Sequence, residues 1–179
     1  MSLLLPLHTP RLLIRDLKHA DLPAFARYRN LPDVSRFQSW DNYTLHDAEV
    51  LYEGQSSLAF NTDESWYQLA VLLQEDKILL GDIGIHFFDK DRQVELGMTF
   101  DVQHQKQGYA REAINAIIKL MFNVFEKHRI TAIVDTRNND AVNLLEKLNF
   151  RREAHFRENV FFKDEWGDEY LYALLKNDY

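Results

Sequence analysis

Gly108 stands where an apolar strand gives way to a long amphipathic helix, and the residues around it have the make-up of an anion site. The strand is Val94-Glu-Leu-Gly-Met-Thr-Phe100, apolar and β-leaning. The helix is marked by Ala110, Ala113, Ile114, Ile117, Leu120, Met121 and Val124, apolar at the spacing of one helical face. A polar loop beginning at Asp101 joins the two. Gly108 has no Cβ and lets a ligand or another backbone come close, and the small Ala110 keeps the same surface open. A helix start presents unpaired N–H groups carrying about half a positive charge. Loop amides, a helix N-terminus and small side chains together bind anions, most often phosphate. An ordinary helix cap has the same outline. The spacing is not that of a Gly-x-x-x-x-Gly-Lys-Ser/Thr loop, and no second or third glycine makes it a dinucleotide fingerprint.

Other groups that could do chemistry are few. There is no cysteine, which removes disulfides, thiolate metal sites and a cysteine nucleophile and fits a reducing cytosol. No two histidines have metal-ligand spacing, so no metal is expected. His86 falls in the same sheet region as the strand above, although a lone histidine on a strand is usually structural. Gly97, inside the strand pattern, suggests a bulge or a close backbone approach.

These residues need elements to position them. Residues 9–16 alternate around Leu12 and Ile14 and predict a first strand. A helix over 19–29 follows, with Asp21 as its N-cap and Pro23 in its first turn. Residues 30–33 break it, and Phe37-Gln-Ser-Trp40 lies on a loop. A second helix spans 44–60, with Thr44 capping and Asp47 placed for a capping box. Strands over 66–73, 77–88 and 93–100, joined by tight polar turns, predict an antiparallel meander. Gly81 and Gly84 in the middle strand are costly unless the backbone bends or is closely approached. The long helix runs from about 107 to 127, and 130–135 reads as a buried strand that pairs in parallel across this crossover. A helix over 138–147, a strand over 150–162, a turn over 163–168 and a last strand over 169–175 complete the chain. The order βααβββαβαββ is a mixed α/β sheet in a single domain over residues 1–179.

Composition agrees. A chain of 179 residues with 46% hydrophobic and 27% charged residues can bury its own core. No apolar run approaches the roughly 20 residues of a membrane span, and the opening Met1–Leu7 lacks the basic segment and length of a secretory signal. With 21 basic against 28 acidic residues, the net charge of −7 disfavours nucleic acid and mildly favours cationic partners.

Gln105-Lys106-Gln107-Gly108-Tyr109-Ala110 fits Gln/Arg-x-x-Gly-x-Gly/Ala, and so resembles the pyrophosphate-binding motif of the GNAT superfamily of N-acetyltransferases. The resemblance extends over nearly the whole chain. Thr9-Pro-Arg-Leu-x-Ile-Arg is similar to the opening of the branch that holds ribosomal-protein N-terminal acetyltransferases. Glu95-Leu-Gly-Met98 is similar to its fourth-strand segment. Asn138 to Phe150 resembles its Asn-x-x-Ser-x-x-Leu-Leu-Glu-Lys-Leu-Gly-Phe signature, and Trp166-Gly-Asp168 with Tyr172 its terminal hairpin.

The resemblance implies the GNAT fold, mostly antiparallel and flanked by helices, and direct transfer from acetyl-CoA to an amine in a ternary complex. It implies that the amides of Gln105, Lys106, Gln107, Gly108, Tyr109, Ala110 and Arg111 hold the pyrophosphate. Backbone groups of Met98, Thr99 and Phe100 would pair with the pantetheine arm and polarise the thioester carbonyl. Asn138 would contact the cofactor, and it also suits a helix N-cap; both can hold. Glu95 is the best-placed carboxylate for the amine's proton, with a surface glutamate as the alternative. Phe37, Trp40 and Tyr67 are candidates to line the acceptor groove. The acceptor is expected to be a protein N-terminal α-amine in the cytoplasm, with a small amine (polyamine, amino acid or aminoglycoside) as runner-up. A silent acyl-CoA-binding module and a homodimer remain open. Two departures matter. The family's tyrosine acid is Leu145 here, and a serine common in the ribosomal branch is Ala141, which leaves Tyr109, Tyr172 or an unassisted thiolate. Asn149 replaces the usual glycine at a helix end, where asparagine is the next best residue.

Overall fold

The computed structural model describes residues 5–179, so the reading of residues 1–4 falls outside it. The first half contains β1 (Leu7–His8), β2 (Leu12–Asp16), α1 (Leu22–Arg29), α2 (Pro32–Ser35), α3 (Leu45–Ser56), β3 (Ser65–Leu73) and β4 (Leu79–Phe88). The second contains β5 (Gln93–Phe100), α4 (Tyr109–Asn123), β6 (Arg129–Asp135), α5 (Asn139–Lys147), β7 (Arg151–Phe162) and β8 (Glu165–Leu175).

Period-two alternation decides which side of the sheet each strand buries. Ile14, Leu69, Ile83, Ile85, Val94 and Leu96 turn to one face and pack against Ile114, Ile117 and Met121 of α4 and Leu145 of α5. The residues between them, including Leu13, Ala70 and Leu72, meet Leu22, Phe25 and Ala26 of α1 and Ala48 of α3 on the other face. The eight strands lie in the order β1-β2-β3-β4-β5-β6-β8-β7. β3, β4 and β5 form the expected meander, and the crossover through α4 makes β5 and β6 parallel, as expected.

That parallel pair is short. β5 and β6 pair at Gln93↔Arg129, Val94↔Ile130 and Glu95↔Thr131, whereas β5 stays paired with β4 through Phe100↔Gly81. Beyond Glu95 the strands part, and the sheet opens into a V towards the start of α4.

Several boundaries differ from the sequence reading, each for a local reason. A 3-10 turn at His19–Asp21 precedes α1, and the Asp21 carboxylate accepts from the Lys18 amide and pairs with Arg15 instead of capping the helix. Pro32 starts the one-turn α2 inside the supposed break. α3 has its capping box at Thr44 and Asp47 but ends at Ser56. Gly108 takes φ +83, so α4 starts at Tyr109, and beyond Asn123 the amides of Phe125 and Lys127 bond in wider turns to Leu120 and Met121. The last turn is only Lys163-Asp164, both at positive φ, as in a two-residue hairpin whose twist suits its strands. Glu165 to Asp168 therefore belong to β8.

Gly81 is the glycine the sheet cannot replace. An added Cβ would stand 2.3 Å from the Thr99 carbonyl oxygen on β5, and the β3–β4 register shifts beside it. Gly81→Ala should cost about 1–3 kcal/mol through overpacking against backbone, measurable by denaturant unfolding.

Candidate active site

The loop before α4 is built by ties to its own ends. The buried Asp101 carboxylate accepts from the Gln103 amide and from Arg27 of α1. Gln105 donates to the Phe100 carbonyl (2.9 Å) and Gln107 to the Gln103 carbonyl (3.0 Å). Arg11, just before β2, donates to the Gln107 carbonyl (3.0 Å), pairs with Glu112 of α4 (2.7 Å) and lies over the Tyr109 ring at 4.5 Å. Burial disfavours the charge on Glu112, but bonds from the Thr9 hydroxyl and from the Arg11 amide and guanidinium outweigh it and hold the carboxyl below its usual range. Arg11 was not singled out on its own from the sequence; its place in the Thr-Pro-Arg run was the available signal.

So tied, the loop turns its amides outward. Among the described residues, no acceptor takes the backbone N–H groups of Lys106 to Arg111. The loop is exposed, and Gly108 supplies the left-handed turn that aims these amides and the first turn of α4 at one place. Such amides could hold a pyrophosphate. Across the V, the Asn138 side chain caps α5 by accepting from the Ala141 amide (3.2 Å), and Lys106 reaches to 3.9 Å from Asp140. The capping reading of Asn138 thus holds, at the site's rim. Met98, Thr99 and Phe100 lie on the stretch of β5 that β6 leaves unpaired.

Gly108→Glu tests this loop. The side chain would enter a backbone region that favours glycine, with its Cβ 3.3 Å from the Arg11 guanidinium that ties the loop, and add a carboxylate beside the outward amides. The wild type should gain about 2.7 kcal/mol of stability at acetyl-CoA a hundredfold above Kd, and a folded variant should gain nothing. Equal thermal shifts in both proteins would remove the loop from the binding site.

The other side of the V carries the second group of residues. Glu95 pairs across the strands with His86, on the face away from the main core. Burial pushes the Glu95 carboxyl above its ordinary value; His86 opposes the shift and Glu169 of β8 adds to it. Trp66 of β3, half exposed, stacks on His86 at 5.0 Å and 9°, and His86 stacks on Phe88 at 5.3 Å and 20°. The Trp66 ring fills the space above Gly84, where a Cβ would meet it at 3.4 Å.

Three expectations change here. Tyr67 is buried in the main core against Phe60, with its hydroxyl on Asp16 (3.0 Å). Alternation sends it to the face opposite Glu95, and Trp66, its neighbour in sequence, takes the groove position. Gly97 sits in unbroken register with Gly84, so there is no bulge, and an added Cβ would meet nothing closer than Trp66 at 3.9 Å. Trp40 packs on Arg29 (4.6 Å), and its indole nitrogen donates to the Arg29 carbonyl (3.1 Å), which commits it to the second core. Phe37, half-buried under Arg36, stays on the segment that Lys163 of the β7–β8 turn grips through Ser35 and Asp41. Of the tyrosine acids, Tyr172 is engaged: its hydroxyl donates to Glu146 (2.9 Å) and accepts from Arg152 (2.9 Å). Tyr109 lies beneath the Arg11 guanidinium.

Outward amides at a helix start, a strand edge left bare by a parting sheet and a half-buried carboxylate beside it are an arrangement that suits transfer from a long phosphorylated carrier. Residues 11–151 match the family model described as "Acetyltransferase (GNAT) domain". The chain belongs to the GNAT family and is an acetyl-CoA-dependent acetyltransferase. It is 29% identical over 171 residues to the "Uncharacterized N-acetyltransferase YnaD" of Bacillus subtilis, covering 96% of this chain and 97% of that one. A crystal structure of a GNAT-family acetyltransferase from Bacillus anthracis superposes with TM-score 0.86 at 29% identity, over 95% of this chain and 98% of that chain. Shorter matches, each 30% identical, join it to the spermidine N(1)-acetyltransferase of Vibrio cholerae (88 residues, 49% of this chain and 51% of that one) and to the [ribosomal protein uS5]-alanine N-acetyltransferase of Escherichia coli (84 residues, 47% and 43%).

Proposed function

We propose that the chain moves the acetyl group of acetyl-CoA to the α-amine at the N-terminus of a polypeptide, in the cytoplasm and by direct attack in a ternary complex. The openness of the acceptor face carries this reading. Trp66, Ile133 and Phe156 lie on the same sheet face as Glu95 and are 50%, 39% and 37% exposed. Small-molecule sites enclose most of their ligand. Two cavities of about 440 and 200 Å3 lie elsewhere, one beneath Leu5 and Leu13 and one between Arg111 and Lys147. An open, partly apolar face beside two bare strand edges suits an extended chain end.

In this reading the outward amides of Lys106 to Arg111 hold the pyrophosphate, and the unpaired edge of β5 at Met98 to Phe100 aligns the pantetheine arm. A β5 amide there polarises the thioester carbonyl. Acetyl-CoA supplies the activated acyl group. The amine nitrogen bonds to the thioester carbon, Glu95 takes the nitrogen's proton, and the C–S bond breaks with its electron pair on sulfur. With Leu145 and Ala141 on α5 and Tyr172 bound to Glu146, the thiolate leaves without a dedicated acid. An α-amine, with an ordinary pKa of about 7.7–8.0, is appreciably neutral at pH 7, which eases the demand on the base.

A small cationic amine is the second reading, favoured by the carboxylates of Glu95 and Glu169 on this face and by the similarity to the spermidine enzyme. Acetylation of peptides with free N-termini, compared with spermidine, amino acids and aminoglycosides, separates the two. A product on small amines alone would overturn the polypeptide reading, and no product on any amine would leave an acyl-CoA binder.

A further inference from the structure

Once Glu95 holds the amine's proton, that proton must still reach water. Glu95 is half-buried, and the titratable groups facing it are His86 on β4 and Glu169 on β8; β6 sets the neutral Thr131 beside it, and Arg129 and Asp135 on the same face of β6 are paired with Glu153 and Arg137. Glu169 is the poorer receiver, since its carboxylate is already engaged by the Asn159 amide (2.6 Å). His86 is the group left. It is the cross-strand partner of Glu95, and neighbours on one face of an antiparallel pair stand about 5 Å apart at Cβ, within reach through one bridging water.

The surroundings of His86 suit this use better than simple packing. Its ring is one of three near-parallel rings, Trp66, His86 and Phe88, that stand side by side on an open sheet face. The neighbouring Trp66 and Phe88 rings restrain the imidazole. Gly84 lets the Trp66 ring sit close enough to stack. His86 itself is only partly buried, so a proton it accepts can pass to solvent.

We infer that His86 is the second station of the proton path, receiving from Glu95 the proton released by the acceptor amine and delivering it to water. The step is a pure proton transfer: the N–H proton moves to the carboxylate, from there to an imidazole nitrogen and then to solvent, with no change in oxidation state. This inference rests on the reading of Glu95 as the base, and His86 acts through Glu95.

Steady-state kinetics on a peptide acceptor across pH test it with three variants. His86→Phe keeps an aromatic ring in the stack, and kcat should fall by a factor on the order of 10². The acidic limb of kcat/KM should also move to higher pH, because Glu95 loses the neighbour that opposes its upward shift. In His86→Ala, added imidazole should restore part of the rate. A structural role would lower activity without moving the limb and without rescue. His86→Phe with wild-type kcat, or slowed with an unmoved limb and no rescue of His86→Ala, overturns the inference. Glu95→Gln separates the two readings: if it stays fast, the base lies elsewhere; if it is slow while His86→Phe is fast, only the role of His86 falls.

Discussion

Glu95→Gln should lower kcat by a factor on the order of 10²–10⁴, the usual contribution of a positioned general base, while acetyl-CoA still raises the melting temperature as in the wild type. The substitution keeps the shape of the side chain and removes only its ability to take a proton. A carboxylate base works ionised, so in the proposed mechanism activity falls as pH drops through the Glu95 pKa. Burial against β6, reinforced by Glu169 and opposed by His86, raises that pKa, which places the acidic limb of kcat/KM above the ordinary glutamate value of about 4.3. In the glutamine variant this limb should vanish. An undiminished kcat would mean that water receives the proton directly from an already neutral amine.

The second large effect is on stability. Asp82 of β4 is fully buried between the sheet and α1, where it accepts from the Tyr28 hydroxyl, the Arg29 guanidinium and the Gln68 amide. Burial works against the charge on Arg29, and the Asp82 carboxylate more than offsets it, so the guanidinium is held more firmly protonated than usual. Burial next to the same carboxylate pushes the Tyr28 hydroxyl well above its ordinary pKa. Asp82→Ala leaves Arg29 buried without its anion, and breaking a buried pair in this way costs about 3–5 kcal/mol. For a chain of this size that is roughly a 6–20 °C fall in Tm. Calorimetry showing a fall of only a degree or two would mean that Arg29 is held by Phe25, Trp40 and Tyr43 instead.

Much of this molecule can be read from residue order, and the misreadings share a cause. The α4 stripe, the meander and the Gly108 turn are local patterns of period, propensity and turn chemistry. The parallel pairing of β5 with β6 followed from the crossover between them. What could not be read was where a ladder stops, because that depends on a partner far away in sequence. Gly97 looked like a bulge because a strand glycine needs a reason; its register is regular, and it was Gly81, pressed against Thr99, that needed to be a glycine. Tyr67 and Trp66 show how a single step in sequence reverses the face of a strand. Both are aromatic at neighbouring positions, and only the pattern of Leu69 and Val71 shows that Tyr67 points into the core. Arg11 was visible only as part of a run of residues, since its work is done on a helix one hundred positions away.

Three residue pairs are all that join β5 to β6, while β6 is paired with β8 along its whole length from Arg129 to Asp135. Mechanically the sheet is two leaves on a short spine, one made of β1 to β5 and the other of β6 to β8. In the proposed binding mode a carrier molecule laid between the leaves would bond to both, and so stiffen the joint that three residue pairs hold. Amide exchange near the spine, at Leu96 to Phe100 and at Ala132 to Val134, should therefore slow together when acetyl-CoA binds, so that the donor substrate also serves as a brace for the fold that uses it.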